Sequence, residues 1–236
     1  FTTGEPIPGT ESTSPNSMAM HWISNSTMLT TLTAKYDMNF GKHAINLLAG
    51  TSYEHYNYER LYSKRTDFVS DGLEDIEQGN EVSKETPGGS SIMESKMLSY
   101  FGRVNYSWND RYLLEVNVRA DGSSRFYKDN RWGIFPSVSA GWRISEESFM
   151  KPVTWINNLK LRASYGTLGN INNVGYYDYF RLMSSGSNYN FSDTAVKGVV
   201  EAQIPNTSLG WETVALTDIG LDLDVLDNKL SISADY

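Results

Sequence analysis

Three histidines, His21, His43 and His55, are the only imidazoles in the chain, and it contains no cysteine. A nucleophile–histidine triad or a histidine-bound zinc would have to draw on these three, because both chemistries need an imidazole as base or ligand. His43 and His55 share one side of a strand-like segment with Ile45, Leu47 and Tyr53, a setting in which histidine ordinarily packs or sits at an interface. The Gly-x-Ser-x-Gly, His-Glu-x-x-His, Walker and dinucleotide fingerprints do not occur in the sequence. Gly166-Thr-Leu-Gly-Asn170 follows a strand pattern into a loop and reads as a turn. No catalytic residue is expected, and therefore no enzyme.

Carboxylates cluster once, in the stretch 67–85: Asp67, Asp71, Glu74, Asp75, Glu77, Glu81 and Glu85. Hard oxygen ligands of this kind suit calcium, but the alternating Asp spacing of a calcium loop is missing. A charge run is more often a solvated loop, so no metal or other cofactor is expected, with calcium at 67–85 as the one exception to test.

Two further groups have binding chemistry. Arg103, Glu115, Asn117, Arg119, Asp121 and Arg162 are polar residues that alternate with apolar ones. They could pair with one another, hold a neighbouring segment, or line the path of a polar ligand. Tyr176, Tyr177, Tyr179, Phe180, Tyr189 and Phe191 crowd into one long loop. Exposed rings of this type stack on sugars or pack against a protein surface, and equally pack within their own loop. Arg125, in a Gly-Ser-Ser-Arg turn, reads as a structural residue that holds loop carbonyls or carboxylates.

The elements that position these residues are strands. In Tyr112–Asp121 the even positions Tyr112, Leu114, Val116, Val118 and Ala120 oppose Glu115, Asn117, Arg119 and Asp121. Successive strand side chains point to opposite faces, so one face is apolar and the other charged. Ser99–Trp108 repeats this texture, with Asn109-Asp-Arg111 as the tight turn between the two. Phe135–Trp142, Leu159–Gly166 and Leu230–Tyr236 follow suit, as does the weaker Trp211–Asp222. Met28–Tyr36 and His43–Tyr58 form a further hairpin turning at 37–42, which makes about eight strands. Short connections near 37–42, 109–111 and 223–228, and a medium one at 143–157, alternate with long ones near 59–95, 122–133 and 167–210.

Composition narrows the setting. The formal net charge of −8 disfavours nucleic acid, whose phosphates need clustered Lys and Arg. No run of about 18 apolar residues crosses a membrane as a helix, and 1–25 is polar with no signal-peptide character. Yet the 236 residues are 13% aromatic, with rings concentrated at strand ends such as Trp108, Tyr112, Trp132 and Trp142. Aromatic girdles with a wet polar face fit a membrane barrel, whereas short alternating strands also fit a soluble β-sandwich. Periodicity alone leaves both open. The sequence starts without Met and stops inside a strand pattern, so a longer protein is expected.

The run Tyr100-Phe-Gly-Arg-Val-Asn-Tyr-Ser-Trp-Asn-Asp-Arg-Tyr-Leu-Leu-Glu-Val-Asn-Val-Arg-Ala-Asp-Gly-Ser-Ser-Arg-Phe126 resembles the barrel of SusC/RagA-type TonB-dependent outer-membrane transporters. Arg131-Trp-Gly-Ile-Phe-Pro-Ser-Val-Ser-Ala-Gly-Trp-Arg-Ile-Ser-Glu-Glu147 and Leu159–Asn170 look like the same family, as do Trp211-Glu212, Asp218–Asp222 and Asn228–Tyr236. The resemblance covers residue 99 to the end, with gaps in the loops, and extends more loosely to 36–53. It implies an all-β fold: about eight strands of a larger antiparallel transmembrane barrel, with 1–236 wholly inside the barrel domain and the long loops extracellular. It also implies outer-membrane lipid around the wall, in a Gram-negative, Bacteroidetes-like cell. The function implied is energised import of an oligosaccharide or peptide with a SusD-like surface lipoprotein. TonB would act through a plug domain, which has no counterpart in these residues. Under this reading Arg103, Glu115, Asn117, Arg119, Asp121 and Arg162 face the lumen, toward substrate or plug, and the loop rings meet substrate or the lipoprotein cap. The alternatives are a secreted β-sandwich that binds carbohydrate, and a non-transporting barrel that serves as adhesin or scaffold.

Overall fold

The alternating segments do form strands, and each pairs with its neighbour in sequence. The computed structural model describes residues 16–69, 72, 75–79, 89–185, 187, 189–191, 194–196 and 198–236. Among the described residues eight strands build one antiparallel sheet: β1 (Ser17–Phe40), β2 (His43–Thr66), β3 (Gly89–Trp108), β4 (Tyr112–Ser123), β5 (Trp132–Arg143), β6 (Ile156–Asn170), β11 (Glu212–Val225) and β12 (Leu230–Asp235). Their order in the sheet is β1-β2-β3-β4-β5-β6-β11-β12. Among the described residues the sheet is open, with β1 at one edge and β12 at the other. The loop between β6 and β11 carries four three-residue strands: β7 (Met183–Ser185), β8 (Tyr189–Phe191), β9 (Thr194–Val196) and β10 (Val199–Glu201). These pair as β7–β10 and β8–β9.

The first three strands are longer than their alternation suggests. β1 begins at Ser17, β2 continues to Thr66 and β3 starts at Gly89. The connection expected near 59–95 therefore shrinks to 67–88, that near 122–133 to 124–131, and that near 167–210 shifts to 171–211. The added residues, such as Glu59-Arg60 and Lys64-Arg65, are charged on both faces, so they pair as strand without showing a two-residue period.

The chain divides into two compact units, one of residues 1–27 and 56–94 and the other of 28–55 and 95–236. In the smaller unit the Asn16 side chain bridges to Phe68, accepting its N–H at 2.8 Å and donating to its carbonyl at 3.0 Å. The His21 ring lies 4.7 Å from Tyr62. In the larger unit the tight turns explain themselves. Gly41, between β1 and β2, has φ +60°, where only glycine is unstrained. Asn109 and Asp110 are both left-handed, as primed hairpin turns require. Successive connections at this end are linked by backbone bonds: Asn109 N–H to Lys42 O at 2.6 Å, Arg143 N–H to Arg111 O at 2.8 Å, and Leu226 N–H to Trp155 O at 3.1 Å.

Register carries one apolar face across the larger unit. Val104, Val116 and Val138 are cross-strand partners, as are Trp108, Tyr112 and Trp142. This face stays open: Val104, Val116 and Val138 are each 42–43% exposed and Ile134 is 68% exposed. Aromatic pairs close it at both ends, with Tyr100 against Trp132 at 5.9 Å and Trp108 against Tyr112 at 5.4 Å. The nine residues from Tyr100 to Trp108 span about 27 Å of strand, close to the apolar band of an outer-membrane barrel. Among the described residues only Phe126, Phe135 and Val225 are buried apolar side chains. A β-sandwich would bury the Val104–Val116–Val138 face under a second sheet, and the short β7–β10 and β8–β9 pairs are too small to supply one.

Candidate functional site

The opposite face of the same strands is polar. Arg103 pairs across β3–β4 with Asn117, and Asn117 across β4–β5 with Ser137. Their side chains follow the register: Arg103 Nε donates to Asn117 Oδ1 at 2.7 Å, while Asn117 Nδ2 donates to Glu115 at 2.8 Å and Ser137 at 3.3 Å. One step along the strands, Arg119 Nε donates to both Asp121 oxygens at 2.7 and 2.8 Å, and its Nη2 reaches Ser99 at 3.0 Å. Five of the six polar candidates thus form two adjoining networks on β3–β5.

Arg162 sits apart from them. It lies opposite Gly141 on β5 and Gly220 on β11, and those two glycines leave its fork free to turn toward β11 and β12. It binds Asp222 at 2.9 and 3.2 Å, also holds Asp235, and stands 3.8 Å from Asp218. Asp224, on the same face, accepts from Asn158 at 3.0 Å. Asp222, Asp224 and Asp235 were not among the sequence candidates. The 218-222-224 spacing places these acids on one strand face, but their convergence on Arg162 requires the register of two more strands.

Toward the long-loop end the polar face becomes apolar. Phe135 is 7% exposed and Phe126 fully buried, both packed on the Trp211 ring at 5.3 and 5.4 Å. Gly133 and Gly169 make the space, since a Cβ on either would run into the Phe135 ring. The Trp211 indole N–H donates to Arg131 O at 2.8 Å.

The loop rings largely pack on one another. Tyr179 and Phe180 lie 4.4 Å apart, Tyr177 and Phe180 6.1 Å, and Tyr176 and Tyr177 6.4 Å. Phe180 remains 46% and Tyr189 55% exposed. Phe191 ends β8, and its side chain lies outside the described residues. The structure therefore gathers Tyr176, Tyr177, Tyr179 and Phe180 into one platform, while Tyr189 belongs to the β8–β9 pair.

The remaining candidates are separately engaged. His43 Nδ1 is 2.8 Å from the Tyr106 hydroxyl, and its ring stacks on Phe40 at 4.9 Å. His21 lies 3.4 Å from Arg60. In the acidic stretch Asp75 accepts the Glu77 N–H and caps a 3₁₀ turn, Ile76–Gln78. Asp71, Glu74, Glu81 and Glu85 lie outside the described residues. Among the described residues no three His, Asp or Glu converge as a metal site. At the short-turn end Glu147 accepts from the Tyr112 hydroxyl at 2.7 Å, the Trp142 indole at 3.2 Å and Arg111 at 3.2 Å. The Tyr112 and Trp142 hydrogen bonds hold its carboxyl below the ordinary carboxylate range, with partial burial opposing and the Arg111 charge assisting.

An open antiparallel sheet with a naked apolar face, an aromatic pair at each end and a charged reverse side is part of the wall of a transmembrane β-barrel. Residues 2–236 match the TonB dependent receptor-like β-barrel family, and the chain belongs to that family. It is 35% identical over 201 residues to TonB-dependent receptor P39 of Formosa agariphila, covering 85% of this chain and 19% of that protein. It is 40% identical over 138 residues to TonB-dependent receptor SusC of Bacteroides thetaiotaomicron, covering 57% of this chain and 14% of that one. Among solved structures it resembles the RagAB peptide transporter, with TM-score 0.83 and 28% identity over 93% of this chain and 24% of that chain. The chain thus spans about a fifth of the length of the Formosa relative and less of SusC. The family is one of outer-membrane receptors and transporters, and the SusC/RagA likeness read from Tyr100–Phe126 is confirmed.

Proposed function

We propose that this chain forms part of the wall of a SusC/RagA-like TonB-dependent importer. The protein it belongs to would admit an oligosaccharide or peptide across the outer membrane, with a SusD-like surface lipoprotein capturing cargo at the long-loop end. The observation that carries this reading is the two-sided sheet: an exposed apolar face suited to lipid, backed by a face that carries the paired polar residues of β3–β6, β11 and β12. Arg103, Glu115, Asn117, Arg119, Asp121 and Arg162 line that polar face, on the cargo path or against a plug. The names of the relatives support import, since SusC is a TonB-dependent receptor and RagAB a peptide transporter. The long connections 67–88, 124–131 and 171–211 belong outside and the short turns in the periplasm, because outer-membrane barrels keep their turns short on the periplasmic side.

The test is uptake by cells that carry the full-length protein, compared with cells deleted for it and cells deleted for TonB. Labelled oligosaccharides and peptides above the porin size limit are the probes. Loss of uptake of one class in both deletions is expected. Unchanged uptake of both classes in the receptor deletion would sink the import reading and favour a barrel that serves as a scaffold.

A further inference from the structure

The turn 124–131 and the loop 171–211 are fastened together by side chains. Arg125 Nη1 donates to Val174 O at 3.2 Å, and the guanidinium carbon stands 4.1 Å over the Tyr176 ring. Arg125's own backbone N–H is held by Ser123 Oγ at 3.2 Å, and Ser123 is itself buried. Tyr127 meets Tyr179 edge-on at 6.2 Å. Asn130 Nδ2 donates to Thr207 O at 3.0 Å. Inside the loop, Gln203 donates to the carbonyls of Tyr177 and Phe180 at 3.2 and 3.4 Å, and Asp178 accepts the Gly175 N–H at 2.6 Å. Residues 174–180 therefore have bonds within their own loop, including Val174 N–H to Ile171 O at 3.1 Å, and Arg125 adds a bond to Val174 O and a contact over the Tyr176 ring from the neighbouring turn.

The chemistry of that contact is specific to arginine. One edge of the guanidinium reaches a carbonyl while its flat face covers a ring, and Nε is buried with no hydrogen-bond partner among the described residues. The ring face and one carbonyl thus offset the desolvation of the cation. A lysine ammonium carries the same charge, but as a point it serves the carbonyl or the ring and not both.

We propose that Arg125 is a positioning residue: it fixes 174–180 in one conformation and so presents the Tyr176–Phe180 ring platform to incoming cargo, without contacting the cargo itself. The proposal rests on the import reading for its cargo, while the positioning stands on the geometry alone.

The test uses the full-length protein with Arg125→Lys and Arg125→Ala. Amide hydrogen exchange is read on the purified protein in detergent, and half-saturation and maximal rate of uptake are read in cells. Arg125→Ala should speed exchange across 174–180 by roughly thirty-fold or more, the size expected for one lost charged hydrogen bond and one cation–π contact, and Arg125→Lys, which keeps one of the two, by roughly ten-fold. They should raise half-saturation by a similar factor and leave the maximal rate alone. Amides of β4 and β5 should keep their protection. Wild-type exchange at 174–180 in Arg125→Ala, or full rescue by Arg125→Lys, would overturn the proposal. If the wild-type protein imports neither class of cargo, the import reading fails, and the exchange rates alone decide the role of Arg125.

Discussion

The two ends of the larger unit solve the same problem in opposite ways. At the short-turn end the connections are chained by backbone hydrogen bonds, and the aromatic rings Trp108, Tyr112 and Trp142 lie open on the apolar face. Tyr112 stacks between Trp108 and Trp142, and Tyr112 and Trp142 both donate to Glu147. At the long-loop end Phe126, Phe135 and Trp211 turn inward and make a small core of their own on the polar face. Rings with a polar handle suit a boundary where lipid supplies the apolar contact. Loops that stand beyond the lipid must bring their own apolar contact, and this one does so with glycines that recess the ring. One end is thus held by its surroundings and the other by itself.

That contrast can be broken, and the largest effect is expected at the buried core. Phe126→Ala should cost about 3–5 kcal/mol, the usual range for deleting a fully buried ring. Denaturant unfolding of the full-length protein in detergent measures it, with Trp108→Ala as the control. Because Trp108 is 45% exposed to whatever surrounds the sheet, its truncation should cost clearly less. Equal losses would mean that both ends are packed alike. Next in size is a charge placed midway between the ends. Val116→Arg on the apolar face should destabilise the protein by about 2–4 kcal/mol when folded into vesicles, while Ser139→Arg on the polar face should be close to neutral. A reversal of that order would exchange the two faces.

The smallest effect is a pH dependence at the short-turn end. The carboxyl of Glu147 is held below its ordinary range by Tyr112 and Trp142. Its contribution is therefore fully present above the unfolded-state value and is lost as pH falls through the lowered folded-state value. Protection against hydrogen exchange in 144–155, relative to the intrinsic rate at each pH, should fall only under acid conditions and stay level between neutral and mildly alkaline pH. Glu147→Gln should remove that dependence, and its persistence in the variant would clear Glu147 of the role.

Much of this arrangement was legible in the sequence. Each of the eight sheet strands coincides with an alternating segment, because a sheet with lipid on one side and water on the other enforces a two-residue period. Ser17–Thr27 escaped, since Met18, Met20 and Trp22 alternate with Ala19 and His21 too weakly to stand out. The strands β7 to β10 are three residues each, too short for any period to show. The polar candidates were legible one strand at a time, and Arg103, Glu115 and Asn117 do meet as neighbours. The acids around Arg162 were not, because their meeting depends on the registers of β6, β11 and β12 together. Phe135 was hidden for a related reason: a ring on a polar face looks misplaced until Gly133 and Gly169 are seen beside it. The loop rings were legible as a group, but their attachment to Arg125 was not.

The pairing of charges along the polar face also bears on how long a passenger would stay. Arg103, Arg119 and Arg162 already have carboxylate or amide partners on their own wall. A polar molecule that slides past must compete with those partners for every bond it makes, so no single step can grip it hard. A translocation route needs affinity enough to be entered and too little to become a trap. In the importer proposed here, a wall whose charges are mutually occupied would keep dwell times short and leave selection of cargo to the rings above it.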